Sequence, residues 1–214
     1  YQTPTPANGA NLSRSYYEVN FTFTETNPDK CLLEVNGANE SMTRTGSSCF
    51  INQTSQSDGP YTFKVWVNDT AGNTEDDPTT RTVRIDTTAP TVTADLPVNG
   101  TNTSDTTPEI SVNVTDNLNV TNINVSLWVD GSLNGASKLV NNGSNARFNT
   151  TALSEATHRF QVQAIDPAGN SANSTLITFI VDTTSPSSLS FVSPTLADGT
   201  NLSRNYYEVN LTFT

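Results

Sequence analysis

The sequence is rich in the acceptor triplet of N-glycosylation, Asn-x-Ser/Thr with x other than proline. It holds 15 such triplets among its 26 asparagines. A chain with this Ser and Thr content would form about 7 by chance, so up to half of them need no explanation beyond composition. The triplets begin at Asn11, Asn20, Asn39, Asn52, Asn68, Asn99, Asn102, Asn113, Asn119, Asn124, Asn142, Asn149, Asn173, Asn201 and Asn210. The excess predicts covalent N-glycans on most of these sites, including strand positions that face solvent.

Acidic residues recur in turns that follow predicted strands. Asp69 and Asp166 open the related segments DTAGN and DPAGN, Asp86 and Asp182 open two DTT segments, and Asp116 follows another strand. An Asp in such a turn commonly caps backbone N–H groups with its side chain, and this is the interpretation we favour. Calcium, which needs six to eight oxygen ligands, is the alternative, although no D-x-D-x-D-G loop is present. No other cofactor is expected.

The two cysteines, Cys31 and Cys49, lie within one predicted domain. There is no C-x-x-C pair and His158 is the only histidine, so zinc is disfavoured. We predict a disulfide, worth about 3 kcal/mol in the chain-entropy model, and hence an oxidising, extracytoplasmic location. Two free thiols in a reducing compartment are the alternative. His158 has no nucleophile or paired carboxylates near it in sequence, so the protein is predicted not to be an enzyme.

These residues lie on a repeated framework. Residues 191–214 match residues 1–24 at 16 of 24 positions, and a shorter echo of the same pattern begins near Gly100. Such internal repetition predicts tandem domains of roughly 95 residues rather than one large fold. The related segments DTTAP and DTTSP each contain a proline, which ends a strand and stiffens the join.

The predicted domains span residues 1–90 and 91–187, and residues 188–214 are the opening strands of a further repeat. These last residues belong either to a continuous polymer of domains or to a strand donated to a neighbouring copy.

Alternation of apolar and polar residues is the main secondary-structure signal. It predicts strands within residues 17–23, 31–35, 49–51, 61–67, 82–85, 110–115, 123–129, 160–164 and 177–181. No window keeps a helical period, so we expect an all-β chain of tandem immunoglobulin-like antiparallel β-sandwiches. Trp66 and Trp128 fall on the polar phase of their strands. They either stack on attached sugars or fill a contact between copies, or a β-bulge turns each ring inward.

Composition excludes several classes of partner. The net charge is −11 with only 10 Lys and Arg, which argues against nucleic acid and anionic membrane surfaces. No apolar run approaches the ~20 residues of a membrane-spanning helix, so we expect no membrane partner within this sequence.

Two pairs of motifs resemble a known family. NDTAGN at residues 68–73 precedes RTVRIDTTAPT, and IDPAGN at residues 165–170 precedes ITFIVDTTSPS. They resemble the D-x-A-G-N … V-D-T-T-x-P signature of immunoglobulin-like repeats in bacterial and archaeal cell-surface proteins. The order CLLEVNG … SSCFINQT … YTFKVWVNDTAGN resembles archaeal repeats in particular. In some such repeats acidic residues at domain junctions bind calcium, so the resemblance adds weight to that alternative.

Taken with the glycosylation triplets, the resemblance implies a structural, heavily N-glycosylated extracellular filament at the cell surface. Its partners would be further copies of itself, joined head to tail or by strand complementation. The alternative function is an adhesin or receptor stalk that presents a binding domain, with or without stiffening by calcium.

Overall fold

A computed structural model describes residues 1–118, 120–203 and 205–212 of the chain. All regular structure in these residues is β-strand, as the alternating pattern predicts. They include no helix that could cross a membrane. The all-β class is therefore confirmed, and it follows from the period-two placement of Val, Ile, Phe and Tyr.

The strands are short and follow one another closely. The first half contains β1 (Ala10–Leu12), β2 (Tyr17–Thr22), β3 (Pro28–Val35), β4 (Ala38–Ser41), β5 (Thr43–Thr45), β6 (Ser48–Gln53), β7 (Gly59–Asp69), β8 (Thr74–Asp76) and β9 (Arg81–Ile85). The second half contains β10 (Thr91–Leu96), β11 (Thr101–Thr103), β12 (Glu109–Thr115), β13 (Ile123–Val129), β14 (Ser132–Leu133), β15 (Lys138–Val140), β16 (Ser144–Asn149), β17 (Ala156–Ile165), β18 (Ser171–Asn173) and β19 (Ile177–Val181). A last hairpin consists of β20 (Ser190–Val192) and β21 (Asn210–Thr212).

The first sandwich has a larger sheet in the order β1-β9-β7-β3-β4, with β8 paired to β7, and a smaller sheet in the order β2-β6-β5. Its core contains Tyr17, Leu33, Phe63 and Ile85, all buried. These residues occupy alternate strand positions, so each strand turns one face inward and one outward. The predicted hairpin turn between β3 and β4 is present: Asn36 and Gly37 have φ of 49° and 85°, the left-handed conformation that this turn requires.

The second sandwich repeats this arrangement. Its larger sheet runs β11-β19-β17-β13-β14, with β15 paired to β13 and β18 to β17, and its smaller sheet runs β10-β12-β16. Ile110, Leu127, Phe160 and Phe179 lie at the centre of its core. Neither core crosses the predicted boundary at residue 90, although the boundaries themselves stay a prediction.

In each sandwich the opening strand of the larger sheet is parallel to the closing strand. β1 pairs with β9 in the register Ala10↔Val83, and β11 pairs with β19 in the register Thr101↔Phe179. Every other strand pair described is antiparallel. The larger sheets of the two sandwiches therefore share one topology, as the repeated sequence implies.

Both tryptophans lie on the outer face of a larger sheet. Trp66 continues a regular ladder opposite Leu32, and Trp128 does so opposite Gln161. Trp66 is half-buried and Trp128 is exposed. The alternative in which a bulge turns each ring into the core is wrong, because the ladder keeps its register at both positions.

The last hairpin copies the opening of the first sandwich, and within the described residues no second sheet lies against it. Thr195 Oγ1 donates to the carbonyl oxygen of Asn210, as Thr5 Oγ1 donates to that of Asn20. Tyr207, Val209 and Leu211 are 70%, 53% and 49% exposed, whereas their counterparts in β2 are buried. The apolar face that is exposed in this hairpin thus corresponds to the face of β2 that is buried in the core of the first sandwich.

The disulfide joins the two sheets of the first sandwich. Cys31 on β3 and Cys49 on β6 are bonded, with a Cα–Cα distance of 6.3 Å, and both are buried. The closed loop spans 18 residues of sequence. It restricts the unfolded chain in the first sandwich alone.

We expect the double variant Cys31→Ala with Cys49→Ala to lower the free energy of unfolding of the first sandwich by about 3 kcal/mol. Differential scanning calorimetry with and without a reductant measures this loss. The second sandwich, which contains no cysteine, is the internal control. An equal loss in both sandwiches would show that the bond does not act locally.

Candidate cation site at the domain junction

Three aspartates meet where the two sandwiches join. Asp86 directly follows β9, the last strand of the first sandwich, whereas Asp116 follows β12 and Asp166 follows β17 of the second. One carboxylate oxygen of each lies within 4.8 Å of the others. The carboxyl ends of three strands thus bring together residues that are 30 and 50 positions apart in sequence.

Asp166 is held firmly by its own turn. Its Oδ1 accepts the backbone N–H groups of Ala168, Gly169 and Asn170 at 2.8, 2.8 and 3.0 Å, and its Oδ2 accepts Asn170 Nδ2 at 2.8 Å. Asp69 makes the same kind of turn in the first sandwich, accepting from Ala71 and from Asn73. The capping interpretation therefore describes both residues correctly.

Asp86 does not cap a turn. Its side chain is buried, and neither carboxylate oxygen accepts a hydrogen bond of good geometry from the described residues. Oδ2 of Asp116 is buried in the same way, while its Oδ1 accepts the Leu118 N–H at 2.9 Å. A buried carboxylate without a partner is costly, so it must either take up a proton or meet a cation.

The electrostatics of the site reflect this crowding. Burial, followed by the charges of Asp116 and Asp166, raises the pKa of Asp86 to about 6, and the nearby Thr88 N–H opposes this only in part. Burial also raises the pKa of Asp116, and the charge of Asp166 adds to that rise. Without a counter-ion the cluster thus favours protonation of its most buried member.

The spacing of the three carboxylates is compatible with a calcium ion, and they would supply three of its six to eight oxygen ligands. Calcium binds oxygen ligands at roughly 2.3–2.6 Å, so two oxygens on one ion lie at most about 5 Å apart. The three aspartate oxygens satisfy this limit. Carboxylates are the hard ligands that calcium prefers, and no histidine or free cysteine accompanies them in the cluster.

Hydrogen bonds hold the two sandwiches together around the cluster. Asn170 Nδ2 donates to the carbonyl oxygen of Asp86 at 2.7 Å, and Asn117 Nδ2 donates to Asp58 Oδ2 at 2.8 Å. Asp58 also accepts Thr87 N–H and the Thr88 hydroxyl, which belong to the join itself. The aspartate cluster is thus bordered by direct contacts between the domains.

The other acidic candidates lie apart from this cluster. Asp69 is in the equivalent turn of the first sandwich, at a distance from Asp86 in the fold. Asp182 is the counterpart of Asp86 after β19, is exposed, and accepts the Thr184 N–H at 3.1 Å. Of the predicted calcium ligands, the structure therefore brings together Asp86 and Asp166, with Asp116 as the third member.

Most of the predicted glycosylation sites are exposed. The exposed asparagines are Asn11, Asn39, Asn52, Asn99, Asn102, Asn124, Asn149, Asn173, Asn201 and Asn210. Asn20, Asn68 and Asn113 are half-buried, and each donates a hydrogen bond from Nδ2, the atom to which a sugar would be attached. Asn119 lies outside the described residues. Occupancy stays a prediction at all of these positions.

Asn142 is the predicted site least compatible with a sugar. Its Nδ2 donates to the carbonyl oxygens of Asp116 and Leu118 at 3.0 and 2.9 Å. A sugar on Nδ2 replaces one of its two hydrogens, so one of these bonds would be lost. Because the bonds hold the loop that carries Asp116, an unmodified Asn142 suits the cation site better.

His158 has a structural role. Its Nδ1 is 2.7 Å from Asp130 Oδ2 and its Nε2 is 2.9 Å from the carbonyl oxygen of Ser154, so both ring nitrogens have partners. The ring is buried beside Phe179. This placement agrees with the prediction that the chain is not an enzyme, which stays a prediction.

Comparison with known proteins supports the fold. Residues 95–183, less than half of the chain, match the family model described as a bacterial Ig-like domain. No curated protein shows a significant similarity to the chain. The matched region lies almost wholly within the second sandwich, which is therefore similar to Ig-like domains; the narrower archaeal resemblance stays a prediction.

Several solved structures align with most of this chain at low sequence identity. Fibronectin(III)-like modules of Clostridium thermocellum CbhA are 17% identical, with a TM-score of 0.44, covering 84% of this chain and 91% of theirs. A tetra-tandem repeat from the extending region of a large adhesion protein is 18% identical, with a TM-score of 0.41 and coverage of 88% and 53%. The chicken CNTN1 FN1–FN3 domains are 16% identical, with a TM-score of 0.37 and coverage of 83% and 66%. The chain thus spans about half of that adhesion-protein structure.

Because the pKa of Asp86 is raised, the free energy of unfolding of the metal-free protein should fall as pH rises. In the metal-free protein the folded state binds a proton at Asp86 up to about pH 6, whereas the unfolded chain releases it near pH 3.8. The contribution of Asp86 to the free energy of unfolding therefore falls as pH rises through this window, by about 3 kcal/mol. Asp86→Asn should remove this pH-dependent fall in the free energy of unfolding. With a chelator present, the variant should gain stability over the wild type between about pH 4 and about pH 7.

Chemical unfolding at several pH values in this range measures the difference. Asp182→Asn, at the exposed counterpart, is the matched control for the substitution itself. A difference between wild type and Asp86→Asn that stays constant across the window would contradict the assignment.

Proposed function

We propose that this chain is a structural segment of an extracellular or cell-surface protein, in which calcium between successive Ig-like sandwiches fixes their relative orientation. The observation that carries the proposal is the buried, unpartnered carboxylate of Asp86, which faces Asp116 and Asp166 across the junction. The disulfide and the similarity to a bacterial Ig-like domain support an extracytoplasmic location.

Calcium would act as a cross-link between the domains. One ligand, Asp86, comes from the end of the first sandwich, and two, Asp116 and Asp166, come from loops of the second. Without the ion, repulsion among these carboxylates opposes close contact of the loops, and only a few hydrogen bonds resist bending. With calcium bound, each of the three carboxylates is instead attracted to the ion. The junction would change from a hinge to a stiff joint.

N-glycans would complete the surface of such a rod. Ten of the predicted attachment sites are exposed, eight of them spread over the two sandwiches and two in the last segment. Sugars near the edge strands would hinder pairing with strands of other molecules. We therefore propose a glycosylated, non-catalytic rod, and the calcium-stiffened form that the sequence offers as an alternative is the one that the junction geometry favours.

Head-to-tail copies of the chain are the proposed partners. Strand exchange between copies is the weaker way to join them. It would bury Tyr207, Val209 and Leu211 of one copy but expose their counterparts Tyr17 and Val19 in the next. No net apolar area is gained, so exchange has no hydrophobic driving force. Stacking through junctions of the kind seen between the two sandwiches has no such cost.

Calcium should stabilise the chain and straighten it. At a free concentration about 100-fold above its dissociation constant, one ion bound only to the folded state adds about 2.7 kcal/mol. We expect calcium to raise the melting temperature and to narrow the distribution of interdomain distances measured by small-angle X-ray scattering. A chelator should reverse both effects.

Asp116→Asn removes the negative charge of a proposed ligand whose Oδ2 has no other partner in the described residues, so it should weaken both responses. Asp182→Asn, at an exposed aspartate outside the cluster, should leave them unchanged. Equal responses of wild type and Asp116→Asn would contradict the proposed site. A magnesium titration tests whether the effect requires the larger ion.

A further inference from the structure

A shallow groove lies on the outer face of the larger sheet in the first sandwich. Its volume is about 170 Å³ and its lining includes Leu32, Trp66, Asn39 and Asn68. The floor is apolar, formed by Leu32 and the Trp66 ring, although this face of the sheet is turned away from the core. Two predicted glycosylation sites, Asn39 and Asn68, therefore lie beside an apolar surface that the described chain covers only in part.

Strand register places Asn39 on the same face as the groove floor. Asn39 on β4 pairs with Glu34 on β3, and Glu34 pairs with Lys64 on β7. In the adjacent row Leu32 pairs with Trp66. Because paired residues share a face of the sheet, the Asn39 side chain emerges from the edge strand beside the Leu32–Trp66 row.

The Trp66 ring is held in place from one side. Lys64 Nζ lies 4.2 Å from the ring centroid and forms an ion pair of 2.5 Å with Asp76, which pairs with Trp66 across β7 and β8. A cation fixed above one ring restricts its rotation. The groove therefore has a pre-formed aromatic floor rather than a mobile side chain.

The two asparagines differ in what they already bind. Asn68 Oδ1 accepts the Lys30 N–H at 2.8 Å and its Nδ2 donates to Asp29 Oδ2 at 3.2 Å. Asn39 is exposed and its side chain has no hydrogen bond within the described residues. Attachment of a sugar at Asn39 therefore costs no existing interaction.

We propose that the N-glycan attached to Asn39 packs over Leu32 and Trp66 and forms part of the folded surface of the first sandwich. The inference rests on the extracellular location in the proposed function. Attachment joins Asn39 Nδ2 to the anomeric carbon of a phosphate-activated sugar donor; the carbon–oxygen bond to phosphate breaks, and the amide proton is released to base. The apolar face of a pyranose ring then covers the indole and excludes water from it.

The second sandwich provides an independent parallel. Trp128 is exposed on the outer face of its larger sheet, and Asn124 on the same strand and Asn173 on β18 share that face through the pairs Ser126↔Gln163 and Gln163↔Asn173. In both sandwiches the outward tryptophan thus lies on the sheet face that carries predicted attachment sites. The two rings occupy different strands, so the association is not a simple consequence of the repeat.

The test uses the native glycoprotein with Trp128→Phe, so that Trp66 is the only fluorescent tryptophan. Asn39→Gln should raise the acrylamide quenching constant of Trp66 by about twofold, because water and quencher gain access to the ring. It should also lower the unfolding midpoint of the first sandwich. Asn52→Gln, which removes an exposed site on the smaller sheet, is the matched control and should change neither quantity. Enzymatic removal of glycans from the folded protein should reproduce the quenching increase and does not depend on folding of a variant.

Three results would overturn the inference. One is a glycopeptide mass showing that Asn39 is unmodified in native material. Another is unchanged quenching after complete removal of its glycan. The third is an increase that follows Asn68→Gln but not Asn39→Gln, which would assign the groove to the other sugar. None of these results affects the calcium response at the junction, so failure here is distinguishable from failure of the proposed function.

Discussion

The buried carboxylate of Asp86 constrains the whole junction. It is covered because β9 ends where the loops of the second sandwich begin, and the Asp86 N–H is bound to the carbonyl oxygen of Leu12 at 2.9 Å. A movement of the Asp86 backbone away from the junction would break this hydrogen bond at the end of the parallel β1–β9 pairing. Whatever neutralises the Asp86 charge therefore acts where the two sandwiches meet. The end of the first sandwich and its contact with the second thus share one residue.

Much of the fold could be predicted because its determinants are local. Alternation in Tyr17, Val19 and Phe21 needs only neighbouring residues to reveal a half-buried strand, and the Asn36-Gly37 turn needs only two. The disulfide could be predicted from composition because a single pair offers one connectivity. Short edge strands such as β4 and β18 lack apolar alternation, since solvent borders them, and the sequence gives little sign of them.

The aspartate cluster could be predicted only in part, because its members meet through tertiary structure. Asp69 and Asp166 have the same turn motif and nearly the same hydrogen bonds, yet of the two only Asp166 belongs to the cluster with Asp86 and Asp116. Asp166 lies beside the end of the first sandwich, where Asp86 follows β9, and no local sequence pattern encodes that neighbour. Asp86 and Asp182 likewise share the DTT motif, but one is buried by a following domain and the other is exposed. Burial between domains is a property of the assembly of repeats.

The parallel pairing of the first and last strands of each larger sheet has a mechanical consequence. When the two ends of a sandwich are drawn apart, β1 and β9 are pulled along their lengths in opposite directions. The bonds Gly9 N–H to Thr82 O and Asp86 N–H to Leu12 O then carry the tension together, in shear, instead of opening one after another. The corresponding bonds of Gly100 and Asp182 repeat this arrangement in the second sandwich. Asp86 directly follows β9, so tension that crosses the junction enters this clamp at the residue that the cation would hold.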